Sequence, residues 1–473
     1  MLVKQCVPLS GTAASSHPIF TPSCASNALL KRQHRTKVSA SAGMEGGAVP
    51  QKIKVVGMGG CNLDYLASVA EFPKPDDKLR TEKLEVQGGG NAANALTAAA
   101  RLGLGSTLVT KVGGDALGDG IVNELNTDGI DTTHVLRAPG FPSPFTYIIV
   151  DRKGGTRTCI HTPGAGFGPE EMTQPLLNDI IKDAALVYFD GRLAEAALLL
   201  ARRARAAGVP VLVEGERLRP GLDELLVEAD YVVTSANFPQ DWTGEDDLSD
   251  ALIATAHRLP KAKFIITTLG KKGAVLLERG TEEAAKGSSN TDSSMQGRPL
   301  AEVLSQLERQ LLLERERQQP KEGCTTKSGL EIKPGPVAET PGPLWLTMSS
   351  VRDPSAVAAK AADAAARAAT MNADASNAQS YAHTGQQDMG EAALLAKATM
   401  ASISALPEGA VVDTTGAGDA FIGSVLYGLA MGLDRPRMLQ LAATVAACNC
   451  TAIGARQGLP SASQLAKSDL LGR

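Results

Sequence analysis

The run Val411-Val412-Asp413-Thr414-Thr415-Gly416-Ala417-Gly418-Asp419-Ala420-Phe421 passes from a short apolar segment through a glycine turn into a stretch with helical periodicity. Phe421, Val425, Leu426 and Leu429 recur at helical spacing, and Gly432 stands where a C-terminal cap belongs. Glycines at 416 and 418 let the backbone come close to a bound group, because no Cβ intervenes. The amides of Ala417, Gly418 and Asp419 then face outward at the positive end of a helix dipole, which makes an anion hole. Asp419 places a carboxylate in the same first turn, beside the anion. Anion hole and base together suit phosphoryl transfer to a hydroxyl. The plainer reading is a helix capped by Asp413 or Thr415.

A second segment, Gln87-Gly88-Gly89-Gly90-Asn91-Ala92-Ala93-Asn94-Ala95, opens an alanine-rich helix that ends at Arg101-Leu102-Gly103. Asn91 and Asn94 are three apart and share one face at the helix start. Two carboxamides there can donate to and accept from neighbouring hydroxyls. An N-cap role accounts for Asn91 but not for Asn94.

D-T-T-G-A-G-D-A-F at 413–421 resembles the C-terminal signature of the ribokinase-like (PfkB) carbohydrate kinases, and the glycine–asparagine segment resembles their sugar-contacting N-terminal signature. The resemblance implies that Asp419 takes the proton from a sugar hydroxyl while the amides of Gly416, Ala417 and Gly418 hold the transferring phosphoryl oxygens. It implies sugar contacts at Asp64, Asp76, Asn91 and Asn94, close backbone approach at Gly89 and Gly90, and a lid arginine at Arg157. Thr267-Thr268-Leu269-Gly270-Lys271-Lys272-Gly273 resembles the family's T-L-G-x-x-G, which implies nucleotide contacts at Thr268, Gly270 and Gly273. Cys448–Ile453, including Asn449 and Cys450, is expected as the opposite wall of the adenine pocket. ATP and Mg²⁺ are the implied cofactors, with a monovalent cation such as K⁺ beside them. Many relatives carry N-x-x-E for the metal's water shell; here Asn237 is followed by Gln240, and no metal ligand is assigned. Asp413 is expected to order the loop or a cation.

F-P-K-P-D at 72–76, G-x-R-T at 155–158 and the pairing of Asp190-Gly191-Arg192 with Val213-Glu214-Gly215-Glu216 resemble ketohexokinase-like members. A ketohexose such as fructose is the leading substrate, with ribose and adenosine as alternatives. Plastid fructokinase-like proteins that act as structural partners supply a non-catalytic alternative. A homodimer through the lid is also expected.

The elements that must position these residues are legible as alternation. Short apolar runs at Ile53–Gly57, Ser106–Val112, Leu186–Asp190, Val209–Val213, Tyr231–Thr234 and Phe264–Thr268 are mostly separated by helix-like segments. That order predicts a mostly parallel sheet covered on both faces, a three-layer α/β/α sandwich. Asp64–Gln87 and Phe145–His161 alternate apolar and polar residues without helices and read as antiparallel strands of a small β-sheet lid. The kinase domain is thus expected at 52–280 and 391–460. Residues 281–390 combine charged, Pro/Gly-rich and Ala-rich stretches and read as a largely disordered insertion that could be deleted without harm. Leu304, Leu307, Leu311 and Leu312 could form one amphipathic helix within it. Residues 461–473 read as a tail.

Residues 1–44 contain no Asp or Glu but several Lys, Arg, Ser and Thr, the composition of an organelle transit peptide, plastid first and mitochondrial second. The formal net charge of −4 with mixed signs gives no footprint for nucleic acid, and no apolar run is long enough to span a membrane. The seven cysteines show no zinc-like spacing, and Cys448 and Cys450 read as core thiols.

Overall fold

The computed structural model describes residues 52–154, 156–281, 297–317, 323–349 and 393–472. The expected transit peptide lies outside the described residues, as does the Ala-rich stretch 356–369.

Neighbouring residues of the core strands are buried on opposite faces of one sheet. Val55, Leu186, Leu212, Ile266 and Leu276 enter one apolar cluster, and Val56, Val187, Val213, Ile265 and Val275 enter another. Period-2 alternation with both phases apolar is what a doubly covered sheet requires. Helices Asn91–Leu102, Ala417–Met431 and Arg435–Asn449 supply the first cluster; Ala194–Ala206 and Leu248–Arg258 belong to the second. The three-layer α/β/α arrangement follows.

Across the sheet run Ile130–Asp131, Gly105–Gly113, Lys54–Met58, Ala184–Phe189, Val211–Gly215, Tyr231–Thr234 and Phe264–Thr268, all parallel. Ala274–Arg279 and Leu394–Ala401 then continue it antiparallel. A separate four-stranded lid has the order Lys83–Gly89, Asn62–Val69, Phe145–Asp151, Thr156–Thr162. Its outer pairs are antiparallel, but the central pair, Asn62–Val69 with Phe145–Asp151, is parallel. The all-antiparallel expectation fails there because the chain returns through the main sheet between the two hairpins.

Two expectations about the periphery are corrected. Part of 281–390 is built into the fold. Helix Leu300–Arg317 buries Leu300, Val303, Leu304, Leu307 and Leu311, whereas Leu312 is exposed. Strands Val337–Glu339 and Leu344–Thr347 both pair antiparallel with Leu394–Ala401, covering opposite ends of that strand's outer edge. The mixed composition concealed this because the strands are short and separated by Pro and Gly. The C-terminal tail is packed on the fold over residues 461–472: Leu465, Leu470 and Leu471 are buried, and the Tyr427 hydroxyl donates to the Leu471 carbonyl at 3.2 Å. Among the described residues, no helix is long and apolar enough to cross a membrane.

Candidate active site

The carboxyl ends of the parallel strands converge on one crevice, where open α/β sheets place their ligands. Gly59 and Gly60 follow Lys54–Met58, Asp190 follows Ala184–Phe189, Glu214 lies near the end of Val211–Gly215 and Thr268 ends Phe264–Thr268.

Helix Ala417–Met431 begins at Gly416, whose φ of 73° is the left-handed conformation that favours glycine. Among the described residues the amides of Gly416, Gly418 and Asp419 have no protein acceptor, and Gly418 is exposed. The Ala417 amide differs from expectation: it donates to the Thr414 carbonyl at 3.2 Å, closing the turn. Asp413 organises this loop. It accepts from the Thr415 amide at 2.9 Å, the Thr415 hydroxyl at 2.8 Å, the Gly454 amide at 2.8 Å and Arg157 at 3.3 Å. Three of these donors fall on Oδ1 and one on Oδ2, so the carboxylate is held chiefly as an organiser of the loop.

Asp419 is buried, and Asn94 Nδ2 donates to its Oδ2 at 2.8 Å. Burial pushes its carboxyl up to about 7; the Asn94 hydrogen bond and Arg192 oppose this, while Glu216 and Asp190 reinforce it. A carboxylate poised near neutrality is suited to general-base work. Asn94 was expected to meet substrate, but its other end is occupied too: Oδ1 accepts from Arg456 Nε at 2.8 Å. Gly89 and Gly90 also serve the protein. A Cβ on Gly89 would stand 2.2 Å from the Asp64 carboxylate, and one on Gly90 2.5 Å from the Gly60 carbonyl oxygen.

Asn91 is the first residue of its helix, Gly90 being the cap. Its Nδ2 lies 3.4 Å from both Glu214 Oε1 and Glu216 Oε2, and its Oδ1 accepts from Arg192 at 3.0 Å. The two asparagines of one helical face thus have separate partners. Glu214 is buried and accepts from the Tyr188 hydroxyl at 2.7 Å; burial, with Asp419 and Glu216 nearby, holds its pKa well above the usual range. Glu216 meets Arg192 at 3.3 Å, Arg217 at 2.8 Å and Arg219 at 3.0 Å. Burial opposes its ionisation, but the three guanidinium groups outweigh it and hold the pKa at about 2. Asp190 accepts from the amides of Gly60, Ala92 and Arg192, which fixes the turn beneath the site. Nothing in the spacing of Arg192 and Glu216 along the chain announces this ring.

The lid presents two cross-strand rows. Gln87, Asp64, Thr146 and His161 are register neighbours across its four strands, and Val86, Tyr65, Tyr147 and Ile160 form the adjacent row on the other face. Asn62 Nδ2 donates to Asp64 at 2.5 Å and to Thr146 at 2.9 Å. Burial raises the Asp64 carboxyl to about 6 against the Asn62 hydrogen bond and Arg456. Arg157 reaches from the lid to the Thr414 hydroxyl at 2.7 Å, tying lid to anion loop. Asp76 is exposed in a lid turn with φ 66°, and shares no hydrogen bond with this cluster among the described residues.

Of the residues expected at a nucleotide, Asn449 and Cys450 touch the anion loop. Thr268 Oγ1 donates to the Thr234 carbonyl at 3.2 Å. Gly270 opens a 3₁₀ turn, and a Cβ on Gly273 would lie 1.9 Å from the Ala401 carbonyl oxygen. Asn449 Nδ2 donates to the Thr415 carbonyl at 2.8 Å, and the Cys450 carbonyl accepts from the Val412 amide at 2.8 Å. These two residues back the anion loop. Gln240, in the place of the metal-shell glutamate, turns its amide to the Asp246 carbonyl at 2.5 Å. Among the described residues no cluster of three His, Cys, Asp or Glu side chains could hold a metal. The residues therefore do not fit a dedicated protein metal cage.

This geometry is that of a kinase, and the chain belongs to the pfkB family of carbohydrate kinases, whose model matches residues 52–291 and 355–462. It is a phosphotransferase acting on a sugar hydroxyl. The chain is 27% identical over 235 residues to the ribokinase of Haemophilus influenzae, a match covering 49% of this chain and 76% of that one. The structure of Arabidopsis thaliana ribokinase complexed with ribose and ATP superposes with a TM-score of 0.56 at 19% identity, covering 89% of this chain and 99% of that chain. Adenosine kinase from Sinorhizobium meliloti gives a TM-score of 0.54 at 18% identity, covering 88% and 99%. At such identities the superpositions establish the ribokinase-like fold, shared by kinases of different acceptors. The family match skips 292–354, so the helix and strands added to the sheet edge are additions to the family pattern.

Proposed function

We propose that the chain transfers the γ-phosphoryl group of ATP to a hydroxyl of a small free sugar, a ketohexose such as fructose first. The observation that carries this reading is Asp419, a buried carboxylate raised to about 7, standing beside amides with no protein acceptor at one helix start. Asp419 accepts the hydroxyl proton; the amides of Gly416 and Gly418 and the side chain of Arg157 stabilise charge on the phosphoryl oxygens. Asp64, with Asn62 and Thr146 behind it, anchors sugar hydroxyls from the lid. Mg²⁺ would ride mainly on the nucleotide's phosphates and water, the usual habit of that ion.

The lid rows favour a free sugar over adenosine. Tyr65, Phe145 and Tyr147 pack on one another, with Tyr65–Tyr147 centroids 5.4 Å apart, and Tyr65 and Tyr147 lie on the face away from Asp64. Ribose is the second reading, because ribokinases are among the relatives. The ketohexose preference rests on the 72–76, 155–158 and 190–216 segments. A purely structural plastid role is disfavoured by the Asn94–Asp419 hydrogen bond at 2.8 Å beside the glycine turn. Plastid import is supported by the composition of 1–44, and a lid homodimer by the exposed row of Val86, Tyr147 and Ile160. ATP-dependent phosphorylation measured across fructose, ribose and adenosine tests the reading; a clear preference for adenosine overturns it.

A further inference from the structure

Strand Val211–Gly215 runs out into Glu216-Arg217-Leu218-Arg219, and this stretch gathers more positive charge than the surrounding side chains answer. Arg192, from the turn after Ala184–Phe189, joins it. All three guanidinium groups turn to Glu216, Arg192 at 3.3 Å, Arg217 at 2.8 Å and Arg219 at 3.0 Å. Arg192 has further partners in Asn91 Oδ1 at 3.0 Å and Asp190 at 3.8 Å, although Asp190 already accepts from three backbone amides. Burial, with Asp419 and Glu216 nearby, resists ionisation of Glu214, which therefore offers little counter-charge.

The shortfall falls on Arg219. Its side chain is 13% exposed, and its Nε is buried with no hydrogen-bond partner among the described residues. Burial and then the neighbouring Arg192 lower its pKa, although Glu216 and Asp190 oppose this. A charged donor left without an acceptor in a largely buried place is costly, and an oxyanion is the partner that relieves it. Guanidinium groups suit that ligand, because their planar N–H forks match the edges of phosphate and carboxylate.

The lid forms the facing wall. His161 stands in the same cross-strand row as Asp64, two strands along, which is about 9–10 Å. Burial, then Arg192 and Arg219, hold the His161 ring below its usual pKa, so this end of the lid faces the arginines. Arg217 is exposed and leaves the cluster open to solvent on one side.

We infer that Arg192, Arg217 and Arg219 form an oxyanion subsite beneath the His161 end of the lid, taking a phosphate or carboxylate group that is either free in solution or carried by the sugar itself. Its place in an acceptor crevice rests on the proposed function; the charge imbalance does not. Glu216 competes with the oxyanion for the same N–H groups.

The test is calorimetric binding of inorganic phosphate to the full chain, with a non-hydrolysable ATP analogue saturating the anion loop. Wild type should bind with a dissociation constant of about 1 mM or tighter. Arg217→Gln, which alters an exposed side chain and should keep the thermal transition, should weaken binding about 10-fold, and Arg219→Gln at least as much. Glu216→Gln should act in the opposite sense and tighten binding, because the internal competitor is gone; a merely structural cluster gives no such opposed pair. Arg202→Gln, on an exposed arginine of helix Ala194–Ala206, should leave phosphate binding unchanged. A wild-type constant above about 10 mM, or equal constants in wild type, Arg217→Gln and Glu216→Gln, would overturn the inference. Kinetics identify the source. If the sugar carries the oxyanion, fructose 6-phosphate or gluconate should exceed fructose in kcat/KM, and the advantage should vanish in Arg217→Gln. If the anion is free, phosphate should inhibit fructose phosphorylation, and the inhibition should vanish in the same variant. Failure of the ATP analogue to bind would defeat the kinase reading instead, and the same phosphate titrations without it would still decide the subsite.

Discussion

Gly423 and Ala95 are the point at which the two site helices touch: a Cβ built on Gly423 would lie 2.3 Å from the Ala95 carbonyl oxygen. Gly423 is one turn on from Asp419, and Ala95 is the neighbour of Asn94. The absence of one methyl therefore sets the distance across which Asn94 reaches the Asp419 carboxylate.

Gly423→Val should push the helices apart and stretch the Asn94–Asp419 hydrogen bond. Overpacking of this kind costs about 1–3 kcal/mol, and the valine adds strain at a contact with backbone rather than with a mobile side chain. Thermal unfolding should show the loss, and kcat should fall more than KM for sugar rises.

Asp419→Asn should lower turnover by about 10²–10⁴-fold while ATP binding, measured by calorimetry, survives. The same variant should be more stable than wild type at pH 8. In the folded protein burial raises the carboxyl from 3.8 to about 7, so between those values the folded state holds more protons than the unfolded one. The contribution of this group to stability then falls as pH rises through that window and stays low above it. A neutral amide avoids the cost, and the gain of about 1–4 kcal/mol at pH 8 should shrink at pH 5. Equal stability increments at both pH values would contradict the assignment.

Arg157→Ala should separate catalysis from folding. The arginine is half-exposed, and its contacts to Asp413 and Thr414 join lid to loop rather than filling a core. Stability should change by no more than about 0.5 kcal/mol. Turnover should drop about 10-fold or more, because the lid no longer registers on the anion loop. Stopped-flow measurement of nucleotide binding alongside steady-state kinetics would show both.

Leu307→Ala should cost about 2–5 kcal/mol, since Leu307 is buried under the sheet edge. Deleting residues 297–349 should produce aggregation, because the outer edge of Leu394–Ala401 loses both strands that cover it. Size-exclusion chromatography of the deleted form decides this; a monodisperse, cooperatively folding product would restore the view of the segment as dispensable.

How far the chain could be read in advance depends on how local each signal is. The parallel core strands were legible because both side-chain phases of Val55-Val56, Leu186-Val187 and Ile265-Ile266 are apolar. The glycine loop and Asp419 were legible because turn, dipole and carboxylate lie within a few residues. Asn94 was half legible: its position on the helix face was right, but its partners Asp419 and Arg456 lie far along the chain, and no local pattern encodes them. Arg456 itself is a single arginine in a loop, and only tertiary burial distinguishes it from a solvated one. The edge strands Val337–Glu339 and Leu344–Thr347 were missed because three or four residues are too few to show alternation.

The pairing of helix Asn91–Leu102 with helix Ala417–Met431 also has a consequence in time. On the ribosome the first helix is made early and can settle on the strands Lys54–Met58 and Gly105–Gly113. Its remaining apolar side, including Ala95 and Ala99, waits for a partner that is translated far later. At about 5–20 residues per second the delay between Asn91 and Asp419 is roughly 15–65 s. Throughout that interval a nascent chain carries a sticky alanine face and an unfinished site. The inserted residues between the two halves lengthen the wait, so this chain has more need of a holding chaperone during synthesis than a relative without them.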